Sequence, residues 1–148
     1  MQLVPIPNTD EPPRAGTHSE LVAGVVASTR DLYARKGFVA PWIGYLAFDE
    51  GEYVGTCAFV GPPEGREVEI AYYSFPACQR AGVATRMTGE LLKVARLQVP
   101  AVTVVAHTMR EEGPSTIILR KHGFKLLGEV KHPEDGPVWK WALSDPAS

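Results

Sequence analysis

The sequence contains only two cysteines, Cys57 and Cys78, in 148 residues, so it lacks the framework of a disulfide-stapled secreted domain. Its apolar runs are far shorter than the ~20 residues that a helix needs to span a bilayer. No N-terminal stretch combines a charged start with an apolar core, as a secretion signal does. The formal net charge of -2 offers no electrostatic reason to expect nucleic acid as a partner. These absences predict a cytoplasmic protein with reduced thiols and no membrane association.

The composition that remains is that of an ordinary folded domain. Hydrophobic residues make up 45% and charged residues 22% of the chain, which is typical of globular proteins of this size. We find no internal repeat, low-complexity segment or linker that would divide the sequence. We therefore expect a single domain over residues 1–148. Residues 1–16 contain four prolines and are expected to form a loose N-terminal arm with at most a short strand at 2–6.

Hydrophobic periodicity and turn residues predict an alternation of helices and strands. Thr17 with Glu20 fits a capping box that opens a first helix, and Gly37 supplies its C-terminal stop. The short helix that begins at Pro114 is expected to end at Gly123. The order of elements predicts an α/β fold of the α+β type with mostly antiparallel pairing. The expected strands are residues 42–48, 53–60, 68–75, 102–107, 124–130 and 138–143, and the expected middle helix is 85–98.

One segment carries a stronger functional signal. A strand at 68–75 is followed by the loop Gln-Arg-Ala-Gly-Val-Ala at residues 79–84 and then by an amphipathic helix. Free backbone N–H groups and a helix N-terminus then converge on one point and favour negative charge. Arg80 would add positive charge, and Gly82 would let the backbone approach a ligand closely. The pattern predicts a phosphate-binding loop, and a plain strand–helix connection is the alternative.

The loop resembles the acetyl-CoA loop of the GNAT N-acetyltransferases, whose pattern is Gln/Arg-x-x-Gly-x-Gly/Ala. Glu69-Ile70-Ala71-Tyr72 and Pro76 resemble the preceding strand in the RimJ/RimL-like branch, which acetylates ribosomal proteins. Residues 106–124 contain Ala-His-Thr, Pro-Ser and Leu-Arg-Lys-His-Gly-Phe in the order of a second signature of that branch. The resemblance covers about residues 40–144. It implies the GNAT fold, a central mixed and mostly antiparallel sheet of six to seven strands flanked by three to four helices.

The resemblance also implies which residues bind acetyl-CoA as co-substrate. Backbone N–H groups of residues 80–85 would hold the pyrophosphate, and the backbone of residues 72–74 would pair with the pantetheine arm. A backbone N–H near Ser74 would polarise the acetyl carbonyl, as in an oxyanion hole. The implied cofactor-binding residues are Tyr72, Tyr73, Ser74, Gln79, Arg80, Ala81, Gly82, Val83, Ala84, Thr85 and Ser115.

Acetyl transfer to an amine requires a group that removes the amine proton. Glu69 matches the family's strand glutamate, and Glu134 in the loop at 132–137 is a rival. Each has a plain alternative as a solvated acid. Ser115 matches the serine of the second signature and would assist the leaving thiolate, or it would bond free N–H groups at the helix start. His107 ends a buried strand and is a candidate for orienting the amine, with a boundary residue as the alternative.

Two positions depart from the family pattern. Glu112 stands where relatives carry a cofactor-contacting Asn, and Leu119 stands where many carry a Tyr that protonates the thiolate. Trp139 and Trp141 would serve core packing or a homodimer contact. No spacing of His, Cys or Asp indicates a metal ion.

The expected function is direct acetyl transfer to a primary amine. The resemblance favours a protein N-terminal amine as acceptor, and an antibiotic, polyamine or amino acid is the alternative. A non-catalytic acetyl-CoA sensor stays open because of the two departures. A third hypothesis, modification of an RNA-linked amine, is opposed by the near-neutral charge.

Overall fold

The computed structural model describes residues 1–9, 19–79, 82–98 and 100–143. Within these ranges the chain forms seven strands, three α-helices and a 3-10 turn at Pro76–Cys78, in the predicted order. None of these helices is long and apolar enough to cross a membrane. The elements are β1 (Gln2–Pro5), α1 (Glu20–Lys36), β2 (Gly44–Asp49), β3 (Glu52–Phe59), β4 (Glu67–Ser74), α2 (Val83–Arg96), β5 (Thr103–Thr108), α3 (Pro114–Lys121), β6 (Lys125–His132) and β7 (Gly136–Leu143).

The seven strands form one sheet in the order β1-β2-β3-β4-β5-β7-β6. Every neighbouring pair is antiparallel except β4 and β5, which run parallel because the crossover helix α2 connects them. The mixed, mostly antiparallel sheet that the sequence predicts is confirmed. The register of β4 on β5 extends only from Glu67↔Thr103 to Glu69↔Val105. Beyond this point β4 continues along β3, and β5 continues along β7.

The main core lies between the sheet and α2. Met87, Leu91 and Ala95 are fully buried at helical spacing on one face of α2, as their periodicity predicts. The helix begins at Val83, two residues before the predicted start. The reason is Gly82, whose φ of 72° is accessible to glycine and lets the loop turn directly into the helix.

The N-terminal residues confirm the short strand expected at 2–6 and correct two other predictions. β1 pairs with β2 and Ile6 is fully buried, so residues 1–9 pack on the sheet and the expected loose arm is wrong for them. The hydroxyl of Tyr33 donates a 2.8 Å hydrogen bond to the carbonyl of Ile6 and holds this segment. The predicted N-cap of α1 is also wrong. Ser19 is the N-cap and accepts the N–H of Val22, while Thr17 lies outside the described residues.

Candidate active site

A groove opens on β4 where the pairing with β5 ends. Past Glu69 and Val105 the two parallel strands share no further ladder positions among the described residues. The edge of β4 that faces β5 therefore has backbone groups available to a ligand over residues 70–74. The groove has a volume of about 410 Å³. Its lining residues come from β4, α2, α3 and the segment between β4 and α2, and they are Tyr72, Tyr73, Ser74, Gln79, Ala84, Pro114, Ser115 and Ile118.

Six of the predicted cofactor-binding residues line this one groove. They come from three separate segments of the chain, and they are Tyr72, Tyr73, Ser74, Gln79, Ala84 and Ser115. Gly82, Val83 and Thr85 lie beside them at the start of α2. Arg80 and Ala81 belong to the same predicted loop and lie outside the described residues.

The N-terminus of α2 is suited to an anion. Gly82 is the N-cap and offers no side chain, and the first turn contains no acidic residue. The first bond of the helix runs from the N–H of Arg86 to the carbonyl of Gly82, so the N–H groups of Val83, Ala84 and Thr85 precede the helical ladder. These groups and the helix dipole both favour negative charge at this point. The phosphate-binding loop stays a prediction, since Arg80 and Ala81 lie outside the described residues.

The sequence left two roles open for Ser115: a partner of the leaving thiolate, or a residue that bonds free N–H groups at the start of α3. Thr116 fills the second role. The hydroxyl of Thr116 accepts the N–H of Gly113 at 3.1 Å and donates to Glu112 at 2.7 Å, so Thr116 caps helix α3. The side chain of Ser115 is exposed at the groove.

The Tyr72 hydroxyl lies 3.4 Å from the Ser115 carbonyl oxygen. Burial raises the pKa of Tyr72.

Glu112 is held by an ion pair that the sequence did not predict. Arg120 donates two hydrogen bonds to its carboxylate, one of them from Nη2 to Oε1 at 2.7 Å. The guanidinium of Arg120 also lies 4.9 Å from the ring centroid of Trp141. The hydrogen bonds from Arg120 and Thr116 lower the pKa of Glu112 to about 2. Arg120 therefore compensates the negative charge of the Glu112 carboxylate.

Leu119, the other departure from the family pattern, is fully buried in the main core. Its side chain packs against apolar neighbours and has no polar atom. The position therefore contributes packing to this domain and supplies no proton donor.

A second group of polar residues meets at the end of the β4–β5 ladder. Oε2 of Glu69 lies 3.1 Å from Nδ1 of His107 on β5, and Oε1 of Glu69 lies 3.6 Å from Nε2 of His132 at the end of β6. The two imidazole rings contact each other edge to face, with centroids 4.9 Å apart. All three side chains are partly buried, with exposed fractions between 13% and 25%. Sequence reasoning named Glu69 and His107 but missed His132, for which no local motif exists.

The His132 ring is oriented by the loop that follows it. Its Nδ1 accepts the backbone N–H of Glu134 at 3.2 Å, which leaves Nε2 as the nitrogen that carries the proton. Nε2 then points its N–H toward Glu69. The loop after β6 thus helps to position the carboxylate on β4.

The Glu69 cluster borders a cavity of about 490 Å³. Ala71 lines this cavity and Tyr72 lines the groove, so neighbouring residues of β4 border the two spaces. Glu134, the rival base, also borders the cavity, but Arg35 of α1 binds its carboxylate at 2.7 Å. The Lys140 ammonium lies at the same wall and donates to Glu67 at 2.7 Å.

A model of the acetyltransferase (GNAT) domain matches residues 6–125, which is most of the chain. The chain belongs to the GNAT acetyltransferase family. The predicted family and the predicted enzyme class are thereby confirmed. Seven strands and three α-helices in the described residues agree with the GNAT fold expected from the sequence. A search among curated proteins finds no match.

Solved structures support the GNAT fold of this chain. RimL, a ribosomal alpha-N-protein acetyltransferase in complex with coenzyme A, is 21% identical, with a TM-score of 0.65 over 86% of this chain and 73% of that chain. Mycobacterium smegmatis RimJ in complex with CoA-disulfide is also 21% identical, with a TM-score of 0.65 over 90% and 69%. An aminoglycoside acetyltransferase in complex with coenzyme A is 16% identical, with a TM-score of 0.60 over 68% and 65%. At these identities the likeness extends to the fold alone.

Proposed function

We propose that this GNAT domain transfers the acetyl group of acetyl-CoA to a primary amine by direct attack in a ternary complex. The observation that carries the proposal is the separation of β4 from β5 after Glu69 and Val105. It creates a groove with a free strand edge and, next to it, a cavity with a carboxylate. A thioester in the groove presents its carbonyl carbon to an amine in the cavity, which is the arrangement that direct transfer needs.

The cofactor would lie along β4 and end at α2. The pantetheine arm would pair with the backbone of residues 72–74, and the pyrophosphate would sit at the N-terminus of α2 and the loop that contains Arg80 and Ala81. The N–H groups of Val83, Ala84 and Thr85, which precede the helical ladder within the described residues, support this placement. A backbone N–H near Ser74 would stabilise the oxyanion that forms on the thioester carbonyl. Coenzyme A in the similar solved structures supports the choice of cofactor.

The proton and the leaving group need separate partners. Glu69, directly or through a water molecule, would accept the proton of the attacking amine, and His107 would orient that amine. The nitrogen then bonds to the carbonyl carbon, the carbon–sulfur bond breaks, and the sulfur leaves as a thiolate. The exposed hydroxyl of Ser115 would donate a hydrogen bond to this thiolate from the far side of the groove.

The acceptor that we propose is the N-terminal amine of a protein. The sequence motifs of the RimJ/RimL-like branch favour it, and a cavity of about 490 Å³ has room for a terminal residue. A small-molecule amine is the alternative acceptor. The similarity in fold to an aminoglycoside acetyltransferase is the reason to include small amines in the test.

The test is acetyl transfer to a panel of N-terminal peptides, matched N-formylated peptides and small amines, followed by thiol release and mass spectrometry of the product. Acetylation of free but not blocked N-termini is the expected result. Turnover on small amines alone would identify the acceptor as a small-molecule amine. Binding of acetyl-CoA without turnover on any acceptor would favour the alternative of a non-catalytic sensor, which Glu112 and Leu119 left open. Absence of acetyl-CoA binding would overturn the proposal.

A further inference from the structure

We propose that Glu69, His107 and His132 form a binding site for a divalent transition-metal ion of the Zn²⁺ class. One oxygen or nitrogen atom from each of the three side chains lies within 4.8 Å of the others. The three residues come from β4, β5 and the end of β6, so they are held by the rigid sheet. The site faces the acceptor cavity, which leaves room for a further ligand such as water.

The spacing of the atoms fits a tetrahedral ion. Zinc bonds to nitrogen and carboxylate oxygen are about 2.0–2.2 Å long, which places neighbouring ligand atoms about 3.3–3.6 Å apart. Oε2 of Glu69 lies 3.1 Å from Nδ1 of His107, and the other oxygen, Oε1, lies 3.6 Å from Nε2 of His132. A single oxygen of Glu69 and one nitrogen of each histidine all lie within 4.8 Å of one another. Small rotations of the side chains would bring the three atoms to a common centre.

Nδ1 of His107 is the second observation that points to an ion. This nitrogen is buried and makes no hydrogen bond with the described residues, although the Glu69 carboxylate is only 3.1 Å away. A buried polar atom without a partner is costly. A metal ion between the imidazole and the carboxylate would use the lone pairs of both and remove this cost.

His132 has a nearby carboxylate for the proton that ligation would displace. Binding through Nε2 requires the proton of that nitrogen to move to Nδ1, which now accepts the N–H of Glu134. Oδ2 of Asp135 lies 3.5 Å from the same Nδ1. Once Nδ1 carries the proton, this oxygen can accept a hydrogen bond from it. A carboxylate behind a metal-binding imidazole is the usual supporting arrangement for this ligand. Nδ1 also accepts the N–H of Asp135 at 3.4 Å. Both displaced N–H groups lie in an exposed loop, where water can replace the ring.

The ligand set selects the class of ion. Two imidazoles and one carboxylate suit Zn²⁺ and its late first-row neighbours, whereas Mg²⁺ and Ca²⁺ prefer oxygen ligands throughout. One consequence rests on the proposed function. An ion on Glu69 would occupy the oxygen atoms that accept the amine proton, so the metal would inhibit acetyl transfer.

The test is direct metal binding by tag-free protein that has been dialysed against a chelator. We expect Co²⁺ to give visible absorption bands that saturate at a single site per chain, and Zn²⁺ to abolish them. Glu69→Gln and His132→Asn should each weaken binding at least about tenfold. His122→Asn is the matched control, because this imidazole bonds to the carbonyl of Thr85 away from the cluster. Circular dichroism checks that each variant is folded.

Three results would overturn the site: no saturable binding of Co²⁺ or Zn²⁺, binding that survives both Glu69→Gln and His132→Asn, or equal affinity for Mg²⁺. The measurement does not depend on turnover. A protein that binds metal but transfers no acetyl group would count against the proposed function only. An active acetyltransferase without metal binding would count against this inference only.

Discussion

Arg35 of α1 donates a 2.7 Å hydrogen bond to Glu134 in the loop between β6 and β7, although 99 residues separate them. This bond distinguishes the two candidate bases. The Arg35 guanidinium already binds the Glu134 carboxylate, which would have to give up this hydrogen bond to bind an amine. The Glu134 side chain is also 60% exposed, whereas that of Glu69 is 25% exposed and faces two histidines at the cavity.

We therefore expect Glu69→Gln to lower kcat on the best amine by about 10²–10⁴-fold, because the amine loses its proton acceptor. The Kd for acetyl-CoA should stay the same. Glu134→Gln is the matched control and should retain activity within a few-fold. Steady-state kinetics across pH and calorimetry with acetyl-CoA measure both effects. An unchanged rate of Glu69→Gln at every pH would remove this residue as the base.

Substitutions at Ser115 and Thr116 are expected to have different effects, the first on activity and the second on stability. Ser115→Ala should lower kcat while the melting temperature stays constant, because its hydroxyl is exposed and its proposed role is to support the leaving thiolate. Thr116→Val should cost about 1–2 kcal/mol of unfolding free energy, because it leaves the N–H of Gly113 without its partner. Steady-state kinetics and denaturant unfolding of both variants test whether one change affects activity and the other stability. Equal destabilisation by the two changes would contradict it.

Gly55 on β3 supports the groove from behind. A Cβ there would lie 2.7 Å from the carbonyl oxygen of Tyr73 and 2.9 Å from Sδ of Met87. Gly55→Ala should destabilise the fold by about 1–3 kcal/mol through overpacking and weaken acetyl-CoA binding by displacing β4. Gly24→Ala in α1 is the control, because no atom lies within 4 Å of its added Cβ. This change should stabilise the fold by about 0.5–1 kcal/mol. Urea titration and calorimetry test the pair.

The ion pair of Glu112 and Arg120 predicts a pH dependence of stability. The pKa of Glu112 in the fold is about 2, below its ordinary value of 4.5, so the pair stabilises the native state above 4.5. This contribution is lost as the pH falls from 4.5 toward 2. The difference in melting temperature between the protein and Glu112→Gln should shrink over that window. Glu111→Gln, which changes an exposed neighbour, should show no such trend.

Local features of the fold could be predicted from the sequence. The apolar spacing of Met87, Leu91 and Ala95 predicts α2, because a 3.6-residue period depends only on neighbouring positions. Pro114 and Gly123 mark the limits of α3 for the same reason. Six groove residues could be named because they belong to short motifs: the strand and loop that lead to Gly82, and the second signature, which contains Ser115. Ser115 could be named, but the sequence left two roles open, a partner of the thiolate and a residue that bonds free N–H groups at the helix start.

The tertiary structure alone decided which of these residues meet. The end of the β4–β5 register at Glu69 and Val105 opens the groove, and no local pattern encodes the length of a parallel ladder. His132 lies 63 positions from Glu69 in sequence, and the two come together only through packing of the β6–β7 hairpin. Secondary structure follows from neighbours along the chain, whereas the chemistry of a site follows from distances across it. Such distances depend on strand register and on the packing of the whole core.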